Sequence, residues 1–304
     1  MAPEPSESAP ETSESASAPA KLLLFGEHTV LHGSGALAVP LPGFSARLRI
    51  RDPTAAPTTS DADVFASWLT NARSRPELTD VLDFATWERE ATCLSVASDI
   101  PRGYGVGSSG ALTALAYRRY ATPAADVPTS VLRARLAALE GFFHGRSSGL
   151  DPLVCYANRP IRIAPGGGVE LLRDRLDLTG WFLLDSRRSR TGQEAIAAFG
   201  ARAQNRTWRT EVLPPLAELT DRLIAETLLG APAPGLLRAL SERQLAALPF
   251  LIPTAVEAVW RRWLGDGVAY LKLCGAGAGG FYLGYARNPA ALHDDERAGD
   301  ITWL

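Results

Sequence analysis

The sequence predicts an α+β protein of two domains. Its 304 residues suffice for two domains of ordinary size. The first half opens with apolar and alternating segments, which are typical of strands, and then passes through a glycine-rich loop into helices. The second half holds a strand, a long helical stretch and a final strand–turn–strand segment. We place the domain boundary near residue 176, which gives domains at 19–176 and 177–304.

Residues 1–18 precede these domains and are predicted to form a disordered acidic tail. The segment is rich in Ser, Ala, Pro and Glu and has no aromatic or branched apolar residue. It therefore buries too little apolar surface to offset its chain entropy. It also lacks the basic and apolar regions of a secretion signal.

The composition excludes several classes of function. A net charge of -2 gives no broad attraction to nucleic acid or to an anionic membrane. No apolar run is long enough to span a bilayer. The cysteines, Cys93, Cys155 and Cys274, lie far apart and fit a reducing cytoplasm better than a disulfide or zinc framework. We therefore expect a cytoplasmic protein without nucleic-acid or membrane partners.

The strands of the first half are predicted from short runs. Residues 21–25 form a short run that is apolar after Lys21, and residues 36–41 form a second apolar run. Residues 44–51 alternate between apolar and polar side chains, as a half-exposed strand does. Residues 92–101 predict a strand that leads into the glycine loop, and Gly166–Gly168 predicts a turn between two later strands. In the second half, we expect a strand at 181–186, helices over 191–263, and a strand, a glycine turn and a second strand at 270–285.

Helices follow the glycine loop. Ser108 or Ser109 is expected to cap the first of them. The next runs from about Thr129 to His144, with its apolar residues at helical spacing, and ends at Gly145. A further helix begins at Asp151–Pro152, since proline suits a first helical position.

Lysine is scarce in this chain. Only two of the 31 basic residues are lysine, Lys21 and Lys272, and each opens a glycine-bearing motif. An ammonium group is a compact point charge that touches one oxygen without the planar fork of a guanidinium. These positions therefore indicate sites at which arginine would not serve, although codon bias explains Lys272 equally well.

The segment PRGYGVGSSGAL is a candidate phosphate loop. Gly103, Gly105 and Gly107 remove side chains, so that backbone N–H groups can approach a ligand. Ser108 and Ser109 follow at a helix N-terminus, which favours an anion. The segment lacks the lysine of a Walker loop and the acidic partner of a Rossmann loop, and a purely structural turn is the alternative.

Glu140 and Asp151 are candidate functional carboxylates. Glu140 lies at the edge of the apolar stripe of its helix, where a carboxylate needs a cation. Mg²⁺ prefers one or two carboxylates together with phosphate oxygens. Asp151 would orient or deprotonate an attacking hydroxyl group, and its alternative role is to cap the helix that follows.

Two further motifs lie at predicted strand ends. Glu27 and His28 follow Gly26, so that they either enter a cleft, where they would suit a small substrate with several polar groups, or form a surface turn. The segment CGAGAGGF has four glycines in a strand–turn–strand. Their density suggests a backbone that lies close to another loop or to a ligand.

In this order the motifs resemble those of the GHMP kinase superfamily, and within it the mevalonate kinases. KLLLFGEHTVLHGSGALAVPL is similar to the family's first motif, PRGYGVGSSGAL to its second and KLCGAGAGGF to its third. The spacing in EGFFHGRSSGLD is also that of mevalonate kinases. The resemblance implies an N-terminal mixed α/β domain with a left-handed βαβ-type lobe for substrate and nucleotide, and a C-terminal ferredoxin-like α+β domain.

The resemblance also implies roles for individual residues. Lys21 and Asp151 would be the catalytic residues, and Ser109 and Glu140 would hold Mg²⁺. The residues expected on the substrate side are Glu27, His28, Arg190 and Thr191. Those expected to bind the phosphates of ATP, or to steady the loop that binds them, are Gly103, Gly105, Val106, Gly107, Ser108, Ser109, Gly275, Ala276 and Gly277.

The first motif favours mevalonate as the phosphoryl acceptor. Galactokinases resemble GEHTDYNGG, whose Asp and Asn can bind sugar hydroxyls, whereas this chain has Val30, Leu31 and His32 there. Phosphomevalonate kinases tend towards tyrosine in place of His28. The expected reaction is therefore phosphorylation of the primary hydroxyl of mevalonate to 5-phosphomevalonate, a step of isoprenoid precursor synthesis.

Two alternatives stay open at this point. A phosphomevalonate kinase of the same fold would need a basic cluster, for which RSRPE and SRRSR are the only candidates. A non-catalytic binding or regulatory protein is the alternative of another class. The oligomeric state is left open, a homodimer included.

Three residues depart from the family's pattern, namely Ala20, Gly110 and Ala278. Ala20 and Ala278 replace glycines, and Gly110 replaces an alanine. The added methyl group at Ala278 is harmful only if this residue needs a positive φ or a close backbone contact.

Overall fold

The computed structural model describes residues 16–50, 59–124, 126–189, 192–230 and 233–304, with backbone alone at 42 and 59–61. In these ranges the protein is mixed α+β, with two antiparallel sheets and helices packed on them. The predicted fold class is therefore confirmed. Within the same ranges, no helix combines the length and the apolar character needed to cross a membrane.

The first sheet is centred on one long strand. Its members are β1 (Ser17–Phe25), β2 (Ala36–Ile50), β3 (Leu94–Ser98), β4 (Ile161–Ile163) and β5 (Val169–Leu171). β2 pairs with β1, β3 and β4, and β4 pairs with β5. The two strands predicted at 36–41 and 44–51 belong to the single strand β2. Two neighbouring residues of β1 pair with Ser45 and Leu41 of β2, and the β2 residues between these two form a bulge.

β1 begins at Ser17, inside the segment predicted as a disordered tail. Ala18 is fully buried and pairs with Ala46. The Arg118 guanidinium donates a hydrogen bond of 2.7 Å to the Ser17 carbonyl. The prediction of disorder is wrong for these last residues because small side chains give no apolar signal, although their backbone completes the sheet. Residues 1–15 of the predicted tail lie outside the described ranges.

The helices of the first half are α1 (Thr59–Arg73), α2 (Phe84–Glu90), α3 (Ser108–Tyr120), α4 (Thr129–His144) and α5 (Leu150–Ala157). α4 has the predicted bounds and ends at Gly145, whose φ is 73°. The predicted serine cap of α3 is wrong, because the N-cap is Gly107 in the left-handed conformation and Ser108 and Ser109 are the first helical residues. β3 and β4 both run antiparallel to β2 and hence in the same direction, so α3 to α5 form a βαβ-type connection.

The second sheet has the strand order of a ferredoxin-like domain. β7 (Tyr270–Leu273), β8 (Phe281–Tyr285), β6 (Trp181–Asp185) and β9 (Ile301–Trp303) lie side by side in that order. The predicted hairpin of β7 and β8 is confirmed, with Tyr270 opposite Tyr285. Between β6 and β7 lie α6 (Gly192–Ala203), α7 (Arg206–Glu211), α8 (Leu213–Leu228), α9 (Pro234–Ala247) and α10 (Thr254–Asp266).

One apolar core extends from the first sheet into the second. Leu22 of β1 and Leu115 of α3 belong to the same buried cluster as Leu283 of β8. The rings of Phe25 and Trp181 meet edge to face at 5.9 Å. The boundary predicted near residue 176 falls between β5 and β6 and stays a prediction. The shared core fixes the loops of the two halves relative to each other.

The turn between β7 and β8 predicts a stabilising substitution. Ala278 has a φ of 65°, in the left-handed region that disfavours a residue with a Cβ. The alanine that stands here in place of the family's glycine therefore has a strained backbone conformation. Replacing Ala278 by glycine should raise the free energy of unfolding by about 0.5–1 kcal/mol, measured by urea denaturation.

Ala276→Gly is the control for this measurement. Ala276 does not have a positive φ, so its backbone is not strained by a Cβ. Glycine at this position only adds freedom to the unfolded chain and should lower the free energy of unfolding by about 0.5–1 kcal/mol. A loss of stability in Ala278→Gly equal to that of the control would contradict the strain at Ala278.

Candidate active site

Lys21 and Asp151 meet at the centre of the site. Lys21 Nζ and Asp151 Oδ2 are 2.9 Å apart, and 6% of the lysine side chain and 42% of the aspartate side chain are exposed. Asp151 is not the cap of α5, because that helix begins at Leu150 and its N-cap is Gly149. The capping alternative for Asp151 is therefore wrong. Its carboxylate contacts a buried cation and remains accessible from solvent.

The glycine loop lies directly against this pair. The Lys21 N–H donates a 2.9 Å hydrogen bond to the Val106 carbonyl. Gly107 has a φ of 81°, and a Cβ there would lie 2.6 Å from Lys21 Cγ. A Cβ on Gly110 would lie only 3.0 Å from the carbonyl carbon of Asp151. Gly110, which departs from the family's alanine, thus allows α3 and α5 to approach closely.

Lys21 is held in its charged form. Burial lowers its pKa, but the negative charge of Asp151 and the hydrogen bond between the two groups raise it, and the net shift is upward from the ordinary value. The ammonium group therefore supplies a fixed positive charge at neutral pH. An arginine would have to fit its planar fork into the same space beside Gly107.

Glu140 is a second, deeply buried carboxylate. Its Oε1 accepts a 3.0 Å hydrogen bond from Ser109 Oγ, and its Oε2 accepts one from Ser147. His144 Nε2 lies 2.9 Å from the same Ser109 hydroxyl. Burial, followed by repulsion from Asp151, raises the pKa of Glu140 to about 7, and the hydroxyl groups and Lys21 offset only part of this.

Ser109 and Glu140 have the chemistry of a partial magnesium site. A carboxylate and a hydroxyl suit Mg²⁺ when phosphate oxygens and water complete its shell. The raised pKa of Glu140 means that a cation beside it would be stabilised. Nowhere in the described part of the chain do three or more His, Cys, Asp or Glu side chains form a metal site.

Glu27 and His28 follow β1, and their side chains contact the third glycine motif. The Glu27 carboxylate forms an ion pair with Lys272 of β7. His28 Nε2 lies 3.0 Å from the Ala276 carbonyl oxygen, and its ring stacks on Phe199 at 4.1 Å. Glu27 and His28 are only 5% and 8% exposed. The alternative of a surface turn is therefore wrong.

The third motif packs on the glycine loop through one end of its turn. Gly280 has a φ of 70°, and a Cβ there would lie 2.7 Å from Tyr104 Cα. The Phe281 N–H donates a 3.4 Å hydrogen bond to the Tyr104 carbonyl, and the two rings lie 4.9 Å apart. Gly277, at the middle of the turn, packs on Leu251 instead. The predicted segment Gly275–Gly280 thus contacts the glycine loop at its last glycine, Gly280.

The structure brings most of the predicted site residues together. The loop between β3 and α3 holds Gly103, Gly105, Val106 and Gly107 beside Lys21, and Ser108 and Ser109 are the first residues of α3. Arg190 and Thr191 lie outside the described residues, so their predicted substrate role stays a prediction.

Sequence reasoning missed several contact residues. Ser147 lies in the HGRSSGLD segment but was given no role, and its hydroxyl holds Glu140. The scarcity of lysine drew attention to Lys272, but no feature of the sequence indicated that Lys272 pairs with Glu27. Phe199 gave no signal, because an apolar residue at helical spacing is typical of a core.

Known proteins share the fold of this chain but little of its sequence. No family model and no curated protein matches it. The chain is similar to L. major mevalonate kinase in complex with R-mevalonate, at 15% identity and a TM-score of 0.60, over 96% of this chain and 95% of that one. It is also similar to Streptococcus pneumoniae phosphomevalonate kinase in complex with phosphomevalonate and AMPPNP, at 14% identity and a TM-score of 0.60, over 96% and 98%.

A third similar structure is Lactococcus lactis galactokinase complexed with galactose, at 15% identity and a TM-score of 0.60, over 95% of this chain and 89% of that one. All three are GHMP kinases, so the chain has the GHMP kinase fold and the predicted resemblance is confirmed. Their acceptors differ, so the fold alone does not select one.

The raised pKa of Glu140 predicts a pH-dependent stability. The pKa of this carboxyl rises from an ordinary 4.5 to about 7 on folding. Between these pH values the folded state binds more protons than the unfolded state, so stability falls as the pH rises through this window. Glu140→Gln lacks this titrating group. Its free energy of unfolding, relative to that of the wild type, should therefore rise by more than about 1 kcal/mol from the lower to the upper end of this pH window.

Urea denaturation at several pH values, in metal-free buffer, measures this difference. The stability of Glu140→Gln relative to the wild type should rise between pH 4.5 and about 7 and stay constant above it. A difference that is the same at every pH would contradict the assigned shift.

Proposed function

We propose that the protein is an ATP- and Mg²⁺-dependent kinase that phosphorylates the primary hydroxyl of mevalonate to 5-phosphomevalonate. The observation that carries the proposal is the 2.9 Å contact between Lys21 Nζ and Asp151 Oδ2, with the left-handed Gly107 against the lysine stem. Phosphoryl transfer requires positioning and charge neutralisation more than covalent catalysis. A charged lysine, an accessible carboxylate and a glycine loop at a helix start supply both.

Asp151 and Lys21 would act on the acceptor. The Asp151 carboxylate would accept a hydrogen bond from the acceptor hydroxyl and aim the hydroxyl oxygen at the terminal phosphorus of ATP. It would take the hydroxyl proton as the new oxygen–phosphorus bond forms and the bond from that phosphorus to the leaving ADP breaks. The Lys21 ammonium, kept charged by Asp151, stabilises the negative charge that develops on the attacking oxygen. The buried stem of Lys21 keeps this charge in one place.

The nucleotide phosphates would lie at the start of α3. The first N–H groups of a helix have no partner within it, and the dipole favours an anion there. Gly105 and Gly107, both with φ 81°, let the backbone curve around the phosphates without a Cβ in the way. Mg²⁺ held by Ser109 and Glu140 would neutralise phosphate oxygens.

Mevalonate is supported as acceptor by the first motif. Its turn carries Val30 and Leu31, side chains with no group that could bind sugar hydroxyls. The neighbouring His28 ring stacks on the apolar ring of Phe199. An apolar turn suits a small carboxylate with a methyl group better than a sugar.

Phosphomevalonate kinase is the second candidate, favoured by one observation. The Gly280 N–H donates a 2.7 Å hydrogen bond to the Arg188 carbonyl, so Arg188 lies beside the turn that contacts the glycine loop. Each basic cluster has one arginine in an ion pair, Arg73 with Glu88 and Arg187 with Asp300. The cytoplasmic location, the homodimer and the absence of nucleic-acid and membrane partners stay predictions from the sequence.

A substrate panel tests the proposed acceptor. Purified protein with ATP and Mg²⁺ should release ADP with mevalonate, and much less with phosphomevalonate, homoserine or galactose. Turnover with phosphomevalonate instead of mevalonate would move the function to the second candidate. A lack of turnover with every acceptor would favour the non-catalytic alternative.

Asp151→Asn is expected to lower kcat by about 10²–10⁴-fold, because the amide cannot accept the hydroxyl proton. ATP affinity should change little, whereas thermal stability should fall because the buried Lys21 ammonium loses its counter-charge, so kcat is compared at a temperature at which the variant is folded. Asp177→Asn, at an exposed turn, is the control and should retain full activity. Full activity of Asp151→Asn would contradict the proposed role of Asp151 in the reaction.

Lys21→Arg is expected to lose activity although it keeps the charge. The guanidinium is planar and larger, and Gly107 leaves no room beside the lysine stem. We expect kcat to fall at least about tenfold, because the charge is displaced from the attacking oxygen. A near-wild-type kcat in a steady-state assay would show that a point charge is not required.

A further inference from the structure

A buried ion pair joins the first and third motifs. The side chains of Lys272 and Glu27 are only 3% and 2% exposed, and Lys272 Nζ bonds Glu27 Oε1. The same Nζ donates a 2.6 Å hydrogen bond to the Leu273 carbonyl and lies 5.9 Å from the centre of the Phe25 ring. The second of the two lysines in the chain is therefore as deeply enclosed as the first.

Stability alone does not account for such a pair. Taking two charges out of water is costly, and replacing a buried pair by apolar residues of similar size is often neutral or stabilising. Burial raises the pKa of Glu27, and the charge of Lys272 lowers it only in part. Such a pair contributes little to the free energy of folding. It has another role if it fixes a geometry that apolar side chains would not fix.

The pair belongs to a chain of contacts that leads to the phosphate loop. His28, next to Glu27, contacts the Ala276 carbonyl in the turn that follows Lys272. The far end of this turn, Gly280, packs on the backbone of Tyr104 in the glycine loop. The turn after β1 and the phosphate loop are thus connected through the β7–β8 hairpin.

We propose that Lys272 is a positioning residue that, through Glu27, holds the turn after β1 in register with the phosphate loop. This inference rests on the proposed function for its kinetic consequence, since that turn would line the acceptor site. Lys272 does not touch the reacting groups. It sets the distance between the acceptor and the phosphate that is transferred.

The test replaces both charges at once. In Glu27→Leu/Lys272→Met no unpaired charge is buried, so the melting temperature should be equal to that of the wild type or higher. The kcat/KM for mevalonate should nevertheless fall by about 10- to 100-fold, while the Kd for ATP stays within about threefold. Wild-type kcat/KM in this variant would overturn the proposal.

Glu27→Gln separates positioning from direct binding. The amide oxygen still accepts a hydrogen bond from Lys272 Nζ, although the buried ammonium loses its counter-charge and the melting temperature should fall. At a temperature at which this variant is folded, positioning predicts a kcat/KM within about tenfold of the wild type. If Glu27 acted on the acceptor through its charge, this variant would lose as much activity as the double variant. That result would overturn the proposal.

Hydrogen exchange tests the coupling without any substrate. In the double variant, amide exchange at residues 26–32 and 274–280 should both rise by about tenfold or more. If the wild type phosphorylates none of the acceptors, the proposed function fails, and the exchange still decides whether the pair couples the two segments. Unchanged exchange in both segments would overturn the coupling.

Two further variants complete the experiment. If the double variant does not fold, Lys272→Arg keeps the charge, but its fork cannot reproduce the two bonds of Nζ, and exchange in both segments should still rise. Glu90→Gln/Arg119→Met removes an ion pair far from the site. This control should alter neither exchange in the two segments nor kcat/KM. Equal effects in the control and in the Lys272 variants would overturn the proposal.

Discussion

The ion pair of Lys21 and Asp151 is the interaction on which the rest of the structure depends. An ammonium group that is 6% exposed keeps its charge only because a carboxylate lies 2.9 Å away. The two residues come from β1 and from the first turn of α5, so the sheet and the helices must pack tightly enough to bring them together. The consequence is a fixed positive charge next to a carboxylate that solvent can reach.

Close backbone packing around this pair explains where the glycines are. Gly107 and Gly110 let α3 approach the lysine stem and the start of α5, and Gly280 lets the β7–β8 hairpin approach Tyr104. The contacts at Gly107 and Gly280 exclude a Cβ, and at Gly110 a Cβ would require the start of α5 to shift slightly. These glycines are therefore required by their neighbours rather than by the loop alone. The same hairpin carries Lys272, so these contacts connect the glycine loop to the buried pair of Glu27 and Lys272.

Local patterns in the sequence predicted much of this architecture and missed what depends on distant partners. The helix at Thr129–His144 and the hairpin at 270–285 follow from periodicity and turn residues, and both are confirmed. The single β2 was missed because its bulge resembles a break, and the start of β1 because small residues carry no apolar signal. The contact of Lys21 with Asp151 was expected from a resemblance. The partner of Lys272 was not, since no local pattern encodes a pair 245 residues apart.

The central claim is that Lys21, Asp151 and the glycine loop form one site for phosphoryl transfer. A crystal structure with AMPPNP, Mg²⁺ and mevalonate tests it most directly. The account predicts the terminal phosphate at the N–H groups of Ser108 and Ser109, and the primary hydroxyl of mevalonate within hydrogen-bond distance of Asp151. A nucleotide bound away from the glycine loop, or a mevalonate hydroxyl that does not reach Asp151, would contradict it.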